Sequence, residues 1–134
     1  MIGFDAIREH VIGQHTLTSN EPFVIGFDVG IADTGRLQGV FLAEIRGEKG
    51  GKFLRVSTPV APLEGVSAER CLRFNWAQRV GFLAVTDLDG EPYIQLCENL
   101  RYDTMSVDDI DFVVRRIAPL ADEIEQSITG QDQA

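Results

Sequence analysis

The sequence predicts an α+β fold: a five-stranded, largely antiparallel sheet with helices mainly on one face. Three observations lead there. Apolar residues recur at helical spacing at both ends of the chain. Between them lie short segments with alternating apolar residues. Glycine-containing turns join several of those segments directly, and such short connections make antiparallel neighbours.

The elements follow in order. Phe4, Ile7 and Val11 recur at helical spacing, with Asp5, Arg8 and Glu9 on the opposite face, so a short amphipathic helix ends near Gly13. Phe23, Ile25, Phe27 and Val29 alternate with Val24, Gly26 and Asp28, which makes the first strand. The turn Asp33-Thr34-Gly35 leads to a second strand from about Leu37 to Ile45, with Leu37, Phe41, Ala43 and Ile45 on one side. The run Gly47-Glu48-Lys49-Gly50-Gly51 is a hairpin connection, because glycine supplies the positive φ such turns need. Phe53 to Thr58 forms a third strand, which Pro59 and Pro62 should end.

Ser67 caps a second helix running to Gln78, and Gly81 stops it. Phe82 to Thr86 is a fourth strand, Asp87-Leu88-Asp89-Gly90 a tight turn, and Tyr93 to Glu98 a fifth strand. Ser106 caps the last helix, with Asp108, Asp109 and Asp111 at its positive dipole end. Val107, Ile110, Val114, Ile117, Ala121, Ile124 and Ile128 trace its apolar face, Pro119 should kink or break it, and residues 130–134 should fray. The order is α-β-β-β-α-β-β-α in a single domain over residues 1–134, with no repeat or linker.

Composition excludes whole classes of function. Twelve basic against twenty-one acidic residues give a net charge of −9, which opposes binding to nucleic acid or to an anionic membrane surface. It suits basic or apolar protein partners. The first residues lack a basic region followed by an apolar run, and no stretch approaches the roughly twenty apolar residues of a membrane helix, so a cytoplasmic protein is expected. Cys71 and Cys97 lie among apolar residues without metal-ligand spacing, as buried thiols in a reducing compartment would.

No catalytic, cofactor-binding or metal-ligating set emerges. His10 and His15 have no Cys or His at ligand spacing. Asp87, Asp89 and Glu91 superficially suggest a calcium loop, but glycine comes too early and a hairpin accounts for them. The Gly47–Gly51 run lacks the Gly-Lys-Ser/Thr ending of a phosphate loop, and neither Ser67 nor Ser106 has the Gly-x-Ser-x-Gly context of a hydrolase. Neither cysteine has a base near it in sequence. The expectation is therefore a protein that is not an enzyme.

The second helix is more informative. In Cys71-Leu72-Arg73-Phe74-Asn75-Trp76-Ala77 the apolar residues surround the axis, and such a helix must bury more than one face. It is either packed within its own domain or also part of a homodimer interface, since two-fold dimers are the commonest oligomers. Leu72, Phe74 and Trp76, with Phe4, Ile7 and Val11 of the first helix, are the candidate partner or dimer contacts.

The element order, together with Leu72-Arg73-Phe74-Asn75, Gly81, Asp89-Gly90, a strand ending at Glu98, and Ser106 before an acidic amphipathic helix, resembles the YbjN family of bacterial sensory-transduction regulators. That family is similar in fold to the type III secretion chaperones. The order spans nearly the whole chain; the motif-level match covers the second half, and residues 28–63 carry none of it. The resemblance implies a chaperone-like or regulatory binding module, often dimeric, with an apolar surface for an extended partner segment. It carries over no catalytic residues. The alternative is a small-ligand sensor or an unrecognised enzyme with a pocket between sheet and helices.

Overall fold

The structure is a computed structural model that describes residues 2–131, without the side chains of residues 128–131. It is an α+β fold with three helices and one antiparallel sheet of six strands, in the spatial order β1-β2-β3-β4-β6-β5. The elements are α1 (Phe4–Ile12), β1 (Leu17–Glu21), β2 (Val24–Gly30), β3 (Leu37–Arg46), β4 (Lys52–Pro62), α2 (Ala68–Ala77), β5 (Phe82–Leu88), β6 (Glu91–Arg101) and α3 (Val107–Gln131).

The expected count of five strands is corrected to six. The additional strand, β1, pairs with β2 at the sheet edge and has only Leu17 packed against the core. An edge strand that buries one side needs little apolar content, so Leu-Thr-Ser-Asn-Glu carries no alternating signal. Phe23, expected inside the first strand, sits in the β1–β2 turn and is 55% exposed.

Leu54, Val56, Thr58 and Val60 of β4 and Ile94 and Leu96 of β6 point to one face, where α3 packs. The stripe Ile110, Val113, Val114, Ile117, Ala118 and Ala121 supplies the other half of this core, and α1 adds Phe4, Ile7 and Val11. Opposite it lie Phe41, Ala43, Ile45, Phe53, Ser57 and Phe82, which are only half-buried. The expected grouping of Phe41, Ala43 and Ile45 on one side of β3 holds, but that side faces away from the core; Val40 and Leu42 face the core, and Leu37 is exposed. On the outer face Gly26 lets the Phe41 ring lie over the sheet, since a Cβ there would meet it at 2.9 Å.

The two prolines expected to end the third strand lie within β4. Pairing with β6 continues through Pro62, with a register shift between Pro59 and Ala61. On its other side β4 separates from β3 beyond the Phe41–Ser57 pair. Side chains fill that gap. Gln38 Nε2 donates to the Pro59 carbonyl at 2.7 Å, and the buried Thr58 hydroxyl donates to the Gly39 carbonyl at 2.6 Å. A proline has no N–H to lose here because the β3 ladder has already ended.

Turn and cap chemistry matches the sequence reading. Asp89 (φ 52°) and Gly90 (φ 83°) form the two-residue loop between β5 and β6, both in the left-handed region that a tight hairpin requires. Ser106 and Asp109 cap α3 reciprocally: the Asp109 N–H donates to Ser106 Oγ (3.3 Å) and the Ser106 N–H to Asp109 Oδ2 (2.9 Å). Pro119 does not break α3. It is exposed, so water can reach the carbonyl left unpaired one turn earlier. Gly130 and Gln131, expected to fray, continue the helix; residues 132–134 and the facing of Ile128 lie outside the described residues.

One buried charge ties the β2–β3 loop to α3. Arg36 reaches Asp122 through two parallel bonds, Nε to Oδ1 at 3.0 Å and Nη2 to Oδ2 at 2.7 Å. Asp122 is buried, and the guanidinium holds its carboxyl below the usual 3.8 even though desolvation pulls the other way. A lowered folded-state value means the stabilisation is present above about pH 4 and is lost as pH falls through the folded value. Asp122→Asn should therefore melt at lower temperature than the parent at neutral pH, and the two melting curves should converge on acidification. Parallel melting curves at every pH would refute this role for the pair.

Candidate functional site

The structure separates the six residues expected to contact a partner. Phe4, Ile7 and Val11 are corrected to core residues: they are 5%, 0% and 3% exposed beneath the sheet and offer nothing to a partner. A stripe at positions i, i+3 and i+7 on a terminal helix is the ordinary signature of packing within a domain, and that is its role here. Phe74 is half-buried and packs with Cys71 against the core. Leu72 and Trp76 point outward and are 68% and 90% exposed.

The apolar residues around α2 thus sort into two stripes. Cys71 and Phe74 hold the helix to its own domain, while Leu72 and Trp76, four residues apart, share the outer face. No residue of α2 is fully buried. The helix is nevertheless fixed firmly. Ser67 Oγ accepts from the Arg70 N–H at its start. Asn75 then forms two hydrogen bonds with the backbone of one residue in β5: Nδ2 donates to the Leu83 carbonyl at 3.0 Å, and the Leu83 N–H donates to Oδ1 at 2.6 Å.

Those two bonds solve a specific problem. β5 is the edge strand at the end of the sheet opposite β1, so alternate residues turn their N–H and C=O away from β6. The Asn75 side-chain amide mimics a neighbouring strand at Leu83 and docks α2 along that edge. Asparagine is a poor mid-helix residue, which is the physical clue to Asn75 in the sequence beside its place in the Leu72-Arg73-Phe74-Asn75 segment. Past Leu83 the strand becomes exposed, with Val85 at 53% and Leu88 at 39%. Four of the eight large apolar side chains that are exposed among the described residues therefore lie on this one helix–strand edge. Glu69 and Arg73, paired at 2.8 Å, flank Leu72 and Trp76.

Other candidates for chemistry form less complete arrangements. His10 Nε2 lies 2.8 Å from Asp111 Oδ1 and links α1 to α3. This pairing joins residues 101 apart, which sequence spacing could not reveal. His15 stacks on Phe27 with ring centroids 4.5 Å apart. A groove of about 280 Å³ lined by Gln14, His15, Asp111 and Arg115 lies between these elements, just below the volume range usual for small-molecule sites. A second groove, of about 480 Å³, crosses the outer sheet face beside Phe41, Ser57, Phe82, Ala84, Gln95 and Cys97. Among the described residues, no group of three or more His, Cys, Asp or Glu could hold a metal ion. No helix of the described residues is long and apolar enough to cross a membrane.

Burial disfavours the anionic forms of the two thiols and of one phenol. Burial pushes the Cys97 thiol up, with Arg55 opposing weakly, and burial raises Cys71 as well. The Tyr102 hydroxyl is buried without a well-formed hydrogen bond; burial first, then the Glu44 carboxylate, drives its ionisation far upward. Each shift runs opposite to the one that lowers a thiol into the nucleophilic range.

Two measurements test this account. Asn75→Ala leaves both edge groups of Leu83 unpaired, and should cost about 1–3 kcal/mol in denaturant unfolding; a loss below about 0.5 kcal/mol would show that water replaces the amide without penalty. Native protein should expose little Cys97 to a disulfide reagent at neutral pH and both thiols in denaturant, because the raised thiols leave little thiolate; immediate labelling of both in the native state would contradict this.

No protein-family model matches the chain, and neither does any curated protein or any solved structure.

Proposed function

We propose that the chain is a non-enzymatic protein-binding module, chaperone-like or regulatory, whose contact surface is the α2–β5 edge. The observation that carries the reading is α2 itself. It is anchored by its N-cap and by Asn75, yet it presents Leu72 and the single Trp of the chain to solvent. Covering a tryptophan of roughly 200 Å² is worth about 5 kcal/mol before association costs are subtracted, enough to matter in an interface.

The first partner of this surface is a second copy of the chain, in a two-fold dimer that sets α2 against α2. In that arrangement Leu72 and Trp76 of each copy meet those of the other, and Glu69 and Arg73 supply opposite charges at the rim. The resemblance to the YbjN family and to type III secretion chaperones is compatible with this reading, with β1 as an additional strand in the order. A cytoplasmic location belongs to the same proposal, and Cys71 and Cys97 are free thiols as a reducing compartment requires. An extended apolar or basic segment is the further partner class, met along the exposed end of β5, where Asp87 lies between Val85 and Leu88. The competing sensor reading would have to use the α1–α3 groove with His15, Asp111 and Arg115.

Light scattering should report a dimer for the parent chain. Leu72→Asp with Trp76→Asp should give a monomer that keeps the parent's secondary structure by circular dichroism, because neither side chain is in the core, and whose melting temperature no longer rises with protein concentration. A parent that stays monomeric at millimolar concentration and captures no partner through α2 would sink the proposal. Stabilisation by small metabolites that Arg115→Ala abolishes would favour the sensor reading instead.

A further inference from the structure

Both lysines of the chain and three of its ten arginines gather at one end of the sheet. Arg46 and Lys52 stand directly opposite each other where β3 and β4 meet the turn, and Lys49 is in that turn with φ 66°. On the outer face, Arg101 of β6 lies opposite Phe53 and Arg55 opposite Asn99. All five cations are exposed. They meet three carboxylates, those of Glu44, Glu48 and Asp103, so this end is a positive island on a chain of net charge −9.

The island is poorly neutralised from within. Arg101 pairs with Asp103 at 2.9 Å. Arg55 donates from Nε to the neutral Asn99 Oδ1 at 3.0 Å. Arg46, Lys49, Lys52 and Arg55 make no ion pair among the described residues. Like charges directly opposite across two strands disfavour each other, and Arg46 and Lys52 are such a pair. Beside it a groove of about 360 Å³ is lined by Gly50, Gly51, Lys52, Phe53, Arg101 and Tyr102, with Asp103, the partner of Arg101, as its one carboxylate. The Phe53 ring lies over Gly47, where a Cβ would approach to 2.6 Å, and gives the groove an apolar floor.

We propose that this basic end is a docking surface for an acidic, partly apolar segment of a partner protein. Charge complementarity selects the occupant. The acidic turn at Asp89 and Glu91 is at the other end of the sheet from Lys49 and Lys52, roughly the 35 Å length of the eleven-residue β4 away, and Asp87 alone reaches the outer-face groove that Arg55 also lines. Physiological salt screens charges beyond about 8 Å, so the distant carboxylates do not repel an anion bound here. A short acidic segment reaches the island alone. A nucleic acid strand would extend beyond it onto the negative remainder of the surface, which disfavours that occupant. This surface is separate from α2, so its failure would leave the α2 reading intact.

The test uses the full chain, isotopically labelled, and a synthetic peptide of alternating glutamate and leucine. Amide shifts should concentrate at 47–55 and around Arg101. Lys52→Glu with Arg55→Glu should weaken binding about tenfold or more. Arg116→Glu with Gln126→Glu and Ser127→Glu, an equal change of net charge on exposed positions of α3, should leave binding unchanged. Lys52→Gln with Arg55→Gln, checked for an unaltered melting curve, separates lost charge from lost folding. The proposal is overturned if the peptide does not bind, if the shifts map to α2 or elsewhere, or if the α3 variant loses as much affinity. It is equally overturned if an oligouridylate of equal charge binds as tightly, or if Lys52→Glu with Arg55→Glu abolishes a salt-sensitive self-association, which would make the occupant a second copy.

Discussion

The contact between α3 and the centre of the sheet is the constraint on which the rest depends. Ile117, Ala118 and Ala121 are fully enclosed against strands whose core-facing residues, Leu54, Val56, Ile94 and Leu96, are themselves enclosed. The small Ala118 and Ala121 let the helix sit close, and the larger Ile110 and Ile117 interdigitate with the strand side chains. At about 25 cal/mol per Å², each of these isoleucines and leucines contributes roughly 1.5–3 kcal/mol, more than any exposed ion pair in the protein. Placing α3 on one face also fixes what is left over. The opposite face gets no helix, α1 fills the remaining core-side space, and α2 is confined to the β5 edge.

That division explains how one short helix can be both secured and available. An exposed strand edge is a hazard that folded proteins close with charge, bulges or a covering element. Here the first part of β5 is closed by the Asn75 amide and the rest is open. Because polar contacts and a capping serine anchor α2, its apolar surface is not all needed for folding. The same arrangement separates two surfaces of opposite character: an apolar edge at α2–β5 and a cationic end at the β3–β4 turn.

The elements with strong local chemistry were legible in the sequence. The stripe of α3, the Ser106 cap, the Asp89-Gly90 loop and the glycine turn after β3 each have a local cause, and each occurs where expected. What was illegible depends on distant partners. β1 has almost no apolar pattern because it buries so little. Pro59 and Pro62 look like strand terminators because only the sheet shows that β3 has already left β4 there. Phe4, Ile7 and Val11 share an apolar stripe with genuine docking helices, and only burial separates the two cases. The same limit applied to α2 in reverse. Its mixed apolar surface was visible, but which residues faced outward depended on how Asn75 meets Leu83. The His10–Asp111 and Arg36–Asp122 contacts are of the same kind, joining residues far apart in the chain.

Trp76 has an optical consequence. It is the only indole in the chain and is already in water when the protein is folded. In the monomer its emission should change little when the chain unfolds, contrary to the usual behaviour of a core tryptophan. It should shift to shorter wavelength when something covers α2. Tryptophan fluorescence, ordinarily a reporter of folding, is in this protein a reporter of occupancy at a single known place.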